Sequence, residues 1–322
     1  MLTSRGPTGW EVARAANVSQ STVSLVLSGR AGGRVSPATQ ERVRRVAKEL
    51  GYRPHAAARS LRLGRSGLVL LVAPDVRDPL FAGVVDGAGR AAHENGCSVV
   101  LAANQNGALL GGAASAVDGV VVCAKPSREL TGSGGQLPMI VLDATAPRGV
   151  PAVRLDVADG MSRAVRRLIE LGHRHIGYLH APNRPSRWAA FKRAAADVRA
   201  TTVTARLTAE AAERAGRELL SDPDGRVTAI VCDGDEHAAG LYRAAYGMGL
   251  RIPEDLSVIG FGGTGLGELL SPPLTTVELP GEELGRTGVV MLLGLLAGQP
   301  PVQRALLPMT LRERHSTAPP PS

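Results

Sequence analysis

The chain has 322 residues, 44% of them hydrophobic and 20% charged, with a formal net charge of +8. At ~150 residues per domain that length predicts two lobes and a small extra module, and no apolar run approaches the ~20 residues that would span a bilayer as a helix. Residues 1–66 hold 12 Lys and Arg, all Arg except Lys48, against Glu11, Glu41 and Glu49, a balance of +9, while the remaining residues balance at −1. A like-charged block beside a neutral body suggests a polyanion-binding module attached to something else; a solvated basic face is the alternative on charge alone. Met1 to Trp10 carries no apolar run before a small-residue cleavage site, so no secretory signal is expected and the protein should stay in the cytoplasm. Cys97, Cys123 and Cys232 are odd in number and far apart, with no C-x-x-C pair, and read as reduced, buried thiols rather than a disulfide or zinc framework.

Thr8-Gly-Trp-Glu11 has the form of a capping box and starts a helix with Val12, Ala13 and Ala16 on one face. Asn17-Val18-Ser19 then makes a three-residue corner, since Asn tolerates the left-handed conformation and Ser is a new N-cap. A second helix is expected from Gln20 to about Ser28, burying Val23, Val26 and Leu27, with Gln20, Ser21, Ser24 and Leu25 on its other faces. Ser36 and Pro37 start a third, whose inward stripe is Val43, Val46, Ala47 and Leu50 before Gly51 stops it. From Gly67 onward, "LVLLVAP", "SVVLAAN", "DGVVVCA", "MIVLDA", "HIGYLHA", "TAIVCDG", "LSVIGFG" and "LTTVEL" alternate with helical stretches, the rhythm of parallel sheets covered by helices. The glycines of "QNGALLGGAASA", between Asn104 and Val117, predict a stunted helix, and the connection between Ala195 and Glu210 is short.

Competing chemistry is thin. "GFGGTG", Gly260 to Gly265, fits G-x-G-x-x-G after a strand, but Pro272 and Pro273 stop any helix after about two turns and deny it a dinucleotide-binding crossover. No P-loop and no G-x-S-x-G elbow occurs. His173 and His175 read as structural, since no third ligand lies nearby. No cofactor and no metal are expected. A DNA-binding regulator accounts for both the charge split and the two-lobed body; a solute-binding receptor accounts for the body alone, and an enzyme for neither.

The runs "ARAANVSQSTVSLVLSGR", "VSPATQERVRRVAKELGYRP" and "HAAARSLR" resemble the headpiece and hinge helix of the lactose/galactose repressor family of bacterial regulators. "VAPDVRDPLFAGVVDGAGRAAHENG", "LIELGHRHIGYLHAP", "GLRIPEDLSVIGF" and "SPPLTTVELPGEELGRTGVVMLL" continue the likeness in order. The resemblance implies an α/β fold: a small all-α helix-turn-helix headpiece over 8–53, a hinge helix and linker over 54–65, and a two-lobed periplasmic-binding-protein-like core of parallel sheets over 66–315. The first lobe would comprise about 66–152 and 280–305, the second about 153–279 and 306–315, with a disordered Pro-rich tail over 316–322. Gln20, Ser21 and Leu25 stand at positions that read base edges in the major groove, Gln as a bidentate partner for adenine and Leu for a thymine methyl. Thr8, Ser19, Thr22, Ser24, Arg30, Ser36, Thr39 and Tyr52 resemble backbone-contacting positions, and His55, Ala58 and Leu61 the hinge that wedges Leu into the minor groove. Gly9 departs from the family's aliphatic residue, with Trp10 placed to fill the volume.

Partners implied are double-stranded DNA with a pseudo-palindromic operator, a second copy of the chain in a homodimer or higher assembly, and a small effector in a cleft between the lobes. Phe81, Asp143, Arg187, Asp235 and Phe261 match cleft positions. Gly234 stands for the usual Asn, Gly262 for an Asp and Leu279 for a Gln. With those hydrogen-bonding side chains gone, ordinary sugars should bind poorly, or the core be unresponsive, unless Arg184, Asp233 or Glu278 reaches into the same space.

Overall fold

The computed structural model describes residues 7–27, 31–52, 65–73, 79–103, 116–123, 126, 137–221 and 227–321. Arg30, His55, Ala58, Leu61 and the glycine-rich stretch after Asn104 lie outside the described residues. The chain forms two compact units, Met1–Gly67 and Leu68–Ser322.

The first unit is three helices, α1 (Gly9–Ala15), α2 (Gln20–Leu27) and α3 (Pro37–Glu49). The capping box forms: the Thr8 amide donates to Glu11 Oε2 at 2.6 Å and the Glu11 amide to Thr8 Oγ1 at 3.4 Å, two otherwise orphaned donors satisfied together. Asn17 takes φ 48° at the corner, Ser19 Oγ accepts from the Thr22 amide, and Ser36 Oγ accepts from the Thr39 amide. Val12, Ala13, Ala16, Val23, Val26, Val43, Val46 and Ala47 form one small core. Leu50, expected inside, is exposed. It is the C-cap of α3, and beyond it Gly51 at φ 65° reverses the chain so that Tyr52, donating its amide to the Ala47 carbonyl, packs on the core. Trp10 does not fill the volume at Gly9; it is exposed beneath the Arg14 guanidinium. A Cβ on Gly9 would sit 2.9 Å from the Tyr52 hydroxyl, so Tyr52 takes that space.

The second unit carries two six-stranded sheets. In the first, β1 (Leu68–Ala73), β2 (Ser98–Ala103), β3 (Gly119–Val122), β4 (Met139–Leu142), β5 (Ala152–Leu155) and β11 (Arg304–Leu307) are ordered β11-β5-β4-β3-β1-β2, all parallel. The near-continuous burial of β1, β3 and β4 is that of strands covered on both faces. Helix α4 (Pro79–Glu94) packs on α10 (Gly281–Leu296) with backbones nearly touching, because Gly87 and Gly285 face the partner backbone where any Cβ would collide.

The second sheet joins β6 (His175–His180), β7 (Arg199–Thr204), β8 (Ala229–Cys232), β9 (Ser257–Gly262), β10 (Thr275–Glu278) and β12 (Thr310–Arg312) in the order β12-β10-β9-β8-β6-β7. It is covered by α5 (Val157–Glu170), α6 (Pro185–Ala194), α7 (Ala209–Leu220) and α8 (Asp235–Gly247), with the short α9 (Gly265–Leu269) after β9. The strand β12 is antiparallel to β10, a departure from an all-parallel sheet. Only two residues separate it from β11, too few for a crossover. The strands β5, β7, β11 and β12 escape the apolar-run reading: three are three or four residues long, and β7, "RATTVT", is an edge strand without a fully buried residue. The chain passes between the sheets at Asp156, between β10 and α10, and at Pro308-Met309.

The C-terminal tail is not disordered. Ser316 is fully buried, its Oγ accepting from the Thr275 amide at 2.8 Å and donating to the Val258 carbonyl at 2.6 Å. Ala318 exchanges bonds with the Ser257 hydroxyl, and its carbonyl accepts from His173 Nε2 at 2.9 Å. His173 Nδ1 meets the Thr228 hydroxyl, and His175 Nε2 the Thr201 hydroxyl. A Pro-rich composition predicts disorder only when the backbone finds no partners, and here serine and histidine supply them. The expectation of three buried thiols also needs correction: Cys232 is buried, whereas Cys97 and Cys123 are partly exposed. Among the described residues no helix is long and apolar enough to cross a membrane, and no cluster of three or more His, Cys, Asp or Glu is placed to hold a metal.

Two outcomes follow from the docked tail. Ser316→Ala strands a buried amide and a buried carbonyl, and should lower stability by about 1–3 kcal/mol, read by urea unfolding. Burial pulls the pKa of His173, and that of His237 on α8, below the ordinary imidazole range. The neutral rings therefore contribute stability fully above about pH 6.5 that is lost as pH falls toward their folded values. The melting temperature should drop between pH 7 and pH 5, and less steeply in His173→Gln.

Candidate nucleic-acid interface and ligand cleft

The start of α2 is polar and open. Ser19, Gln20 and Ser21 are exposed, Thr22, Ser24 and Leu25 half-exposed, and Ser19 Oγ links the Ser21 and Thr22 hydroxyls at 2.7 and 2.8 Å. No acidic residue lies in the first turn of α2 or of α3, so the partial positive charge of both helix starts is not neutralised locally, as an anion-facing end requires. The α1 start differs: Glu11 occupies it, its carboxyl held below the usual range by hydrogen bonds from the Thr8 amide and hydroxyl. Thr8 is therefore occupied as a cap. Ser36 donates to Thr39 at the α3 start, and Tyr52 is half-buried. Gln20 makes no hydrogen bond to a described residue and presents a free carboxamide.

In the second unit, a cavity of about 430 Å³ opens between the sheets. Phe81 from α4, Asp143 after β4 and Arg187 from α6 line it. Asp143 stands at φ 42°, and its Oδ1 accepts from the Leu155 amide. Burial raises its pKa against the pull of that bond and of Arg187, Arg154 and Arg184. Arg187 Nη1 donates to the Asp233 carbonyl at 2.6 Å and lies 3.3 Å from Asp233 Oδ1. Burial, then Arg184, pulls the Arg187 pKa down, and Asp233 opposes both. Asp233 also accepts from the Tyr178 hydroxyl and the Ala181 amide. Burial and then Asp233 push the Tyr178 phenol up, so it stays a neutral donor.

Asp235 and Phe261 do not line this cavity. Asp235 is fully buried, Oδ2 accepting from the Thr264 amide and hydroxyl at 2.7 and 2.8 Å and Oδ1 from the Thr276 hydroxyl at 2.7 Å. Its oxygens hold the loop after β9, and burial keeps them away from the cavity lining. Phe261 is a buried platform 4.3 Å beneath the Arg187 guanidinium. The glycine departures have a local reason. A Cβ on Gly262 would lie 3.1 Å from Asp235 Oδ2, and one on Gly234 2.6 Å from Leu207 Cδ1. A side chain at either position would displace its neighbours. Of the possible replacements, Arg184 lines the cavity, Asp233 lies beneath Arg187, and Glu278 pairs with Arg312 beside a separate cavity of about 470 Å³. Arg154 and Arg193 are lining residues that the motifs do not reveal. Arg154 shows in sequence only as a lone charge in an apolar strand.

A compact headpiece whose second helix offers a polar start suits a duplex, and a cleft between two lobes suits a small solute. Together they define the class: a DNA-binding regulator built on a binding-protein core. Residues 10–55 match bacterial regulatory proteins of the lacI family, and residues 165–317 a periplasmic binding protein-like domain. The HTH-type transcriptional repressor CytR of Escherichia coli (strain K12) is 31% identical over 317 residues, 90% of this chain and 89% of the relative. The ribose operon repressor of Halalkalibacterium halodurans is 32% identical over 322 residues, 95% of this chain and 96% of the relative. Among solved structures, a lac repressor dimer bound to operator and the anti-inducer ONPF superposes with a TM-score of 0.82 at 26% identity, covering 98% of this chain and 100% of that one. A CelR–cellobiose complex gives 0.69 at 32% identity, covering 96% and 99%. The chain belongs to the lacI family of bacterial transcriptional regulators; it is a DNA-binding regulator and not an enzyme.

Because Asp235 is a structural clamp, Asp235→Ala should destabilise the second lobe by about 3 kcal/mol, stranding the Thr264 and Thr276 donors. Far-UV circular dichroism in urea measures this. Unchanged stability with an altered ligand response would mean that Asp235 faces the ligand after all.

Proposed function

We propose that the chain is a cytoplasmic repressor that grips a pseudo-palindromic operator as a homodimer and is modulated by a small effector in the cleft. The observation that carries this is the exposed, acid-free start of α2, with Gln20 and Ser21 exposed there, on a unit that holds the chain's positive charge. Gln20, Ser21 and Leu25 read bases in the major groove. Ser19, Thr22, Ser24, Arg30, Ser36, Thr39 and Tyr52 set register on phosphates. The hinge over 54–65 bends the duplex with Leu61, favouring deformable central steps such as CG or CA. One headpiece is too small to bind tightly and selectively, so two must act together. Ligand and DNA affinities are then linked reciprocally through the lobes. A ligand-unresponsive core is the second reading, favoured by the filled space at Gly234 and Gly262.

Selection of bound duplexes from a random pool gives the operator. On it, Gln20→Ala should lose about 1–3 kcal/mol and relax preference at one base pair, whereas Arg30→Ala should weaken all duplexes alike and flatten the salt dependence. Unchanged ranking and affinity in Gln20→Ala would remove the base-reading role.

A further inference from the structure

The inter-lobe cavity is unbalanced in charge and in hydrogen-bonding type. Among the described residues four guanidiniums line it, Arg154, Arg184, Arg187 and Arg193, against two carboxylates, Asp143 and Asp156. Both carboxylates are partly engaged: Asp156 Oδ1 accepts from the Asp159 amide as the cap of α5, and Asp143 Oδ1 from the Leu155 amide. Asn183 and Ser186 add neutral polar groups to the lining, and the excess among its charged groups is of guanidinium donors.

Arg187 sharpens this. It is only 7% exposed, and its two hydrogen bonds both leave from Nη1. Its Nε and Nη2 have no hydrogen-bond partner among the described residues. These donors are on the cavity side of a guanidinium whose Nη1 is already anchored, and an acceptor on a bound molecule could meet them. Asp233 cannot serve both arginines, because its carboxylate already takes Tyr178, Ala181 and Arg187, and Arg184 reaches only its carbonyl oxygen at 3.3 Å. The α6 start lies at the same wall, with Arg184 as an N-cap whose side chain makes no capping bond and Pro185 in the first turn. That end adds positive potential where the guanidiniums converge. The neighbouring cavity has the opposite lining: among the described residues Glu278 and Glu282 and no basic residue, the glutamates paired with Arg312 and Arg90.

We propose that the cleft selects a small anionic metabolite, one that presents a phosphate or carboxylate group to Arg184 and Arg187, over a neutral sugar. This rests on the effector-modulated reading above and specifies the effector's chemistry. A planar guanidinium pair matches such a group bidentately. A neutral polyol gains nothing from the net positive charge of this lining, whereas an anion does.

Calorimetric titration of the full chain with matched probes tests this: ribose against ribose 5-phosphate, glucose against glucose 6-phosphate, and propanol against propionate, with citrate and inorganic phosphate alongside. At least one anion should bind tenfold or more tightly than its neutral counterpart, lose tenfold or more in Arg184→Gln, and weaken with added salt. The phosphate and carboxylate arms identify which group the site takes. Arg193→Gln, on an exposed side chain, should weaken the same anion and is read alongside in case Arg184→Gln unfolds. Equal affinity within every pair, tighter binding of the neutral member, or no measurable binding by any probe would overturn the proposal. Operator binding by the ligand-free chain is scored separately, so a failed titration with intact DNA binding removes only the anion assignment.

Discussion

The second lobe is organised around a carboxylate that water does not reach. Asp233, at the C-terminal end of β8, gathers the Tyr178 hydroxyl from β6, the Ala181 amide and Arg187 from α6. A buried charge is tolerable only when paired and hydrogen-bonded, so these partners are fixed in place. The position of α6, and with it one wall of the cleft, follows. Two residues on, Asp235 does the same for the loop after β9. The ends of the central strands, where open α/β sheets receive ligands, are held by two buried acids whose role is to position rather than to bind.

Division of labour runs along the chain in the currency of charge. The unit before residue 68 is small, positive and closed around a handful of valines and alanines; the unit after it is large, nearly neutral and layered. Electrostatic attraction to a phosphate backbone needs the first property, and a two-state response to a solute needs the second. Repression that answers to a metabolite requires both in one molecule, because only a shared equilibrium lets ligand free energy alter DNA affinity.

Much of this was legible without coordinates where the signal is local. A capping box at Thr8, the Asn17 corner and Ser36-Pro37 each depend on residues within three positions, and each forms as read. The apolar runs became strands for the same reason, central ones except for β2 at the edge of the first sheet. What escaped was short, polar or non-local. The strand β7 is an edge with no buried side chain. Leu50 lies on the right helical face but one residue beyond the helix, where the chain turns away. The tail reads as disordered by composition, yet Ser316 and Ala318 find partners some sixty residues upstream in sequence.

The cleft shows the boundary most clearly. The sequence by itself determined that a basic three-helix headpiece precedes a two-lobed α/β body and which residues of α2 face outward, because helical periodicity and charge segregation are properties of neighbours in the chain. Asp143 and Arg187, singled out by their matching positions, both line the cavity. Only the tertiary structure decided that Asp235 is a clamp, that Phe261 is a platform, and that Arg154, Arg184 and Arg193 join Arg187 around one cavity. Those arginines come from β5 and from the two ends of α6. What a buried or converging charge can do depends on its partners across space, which no spacing along the chain encodes.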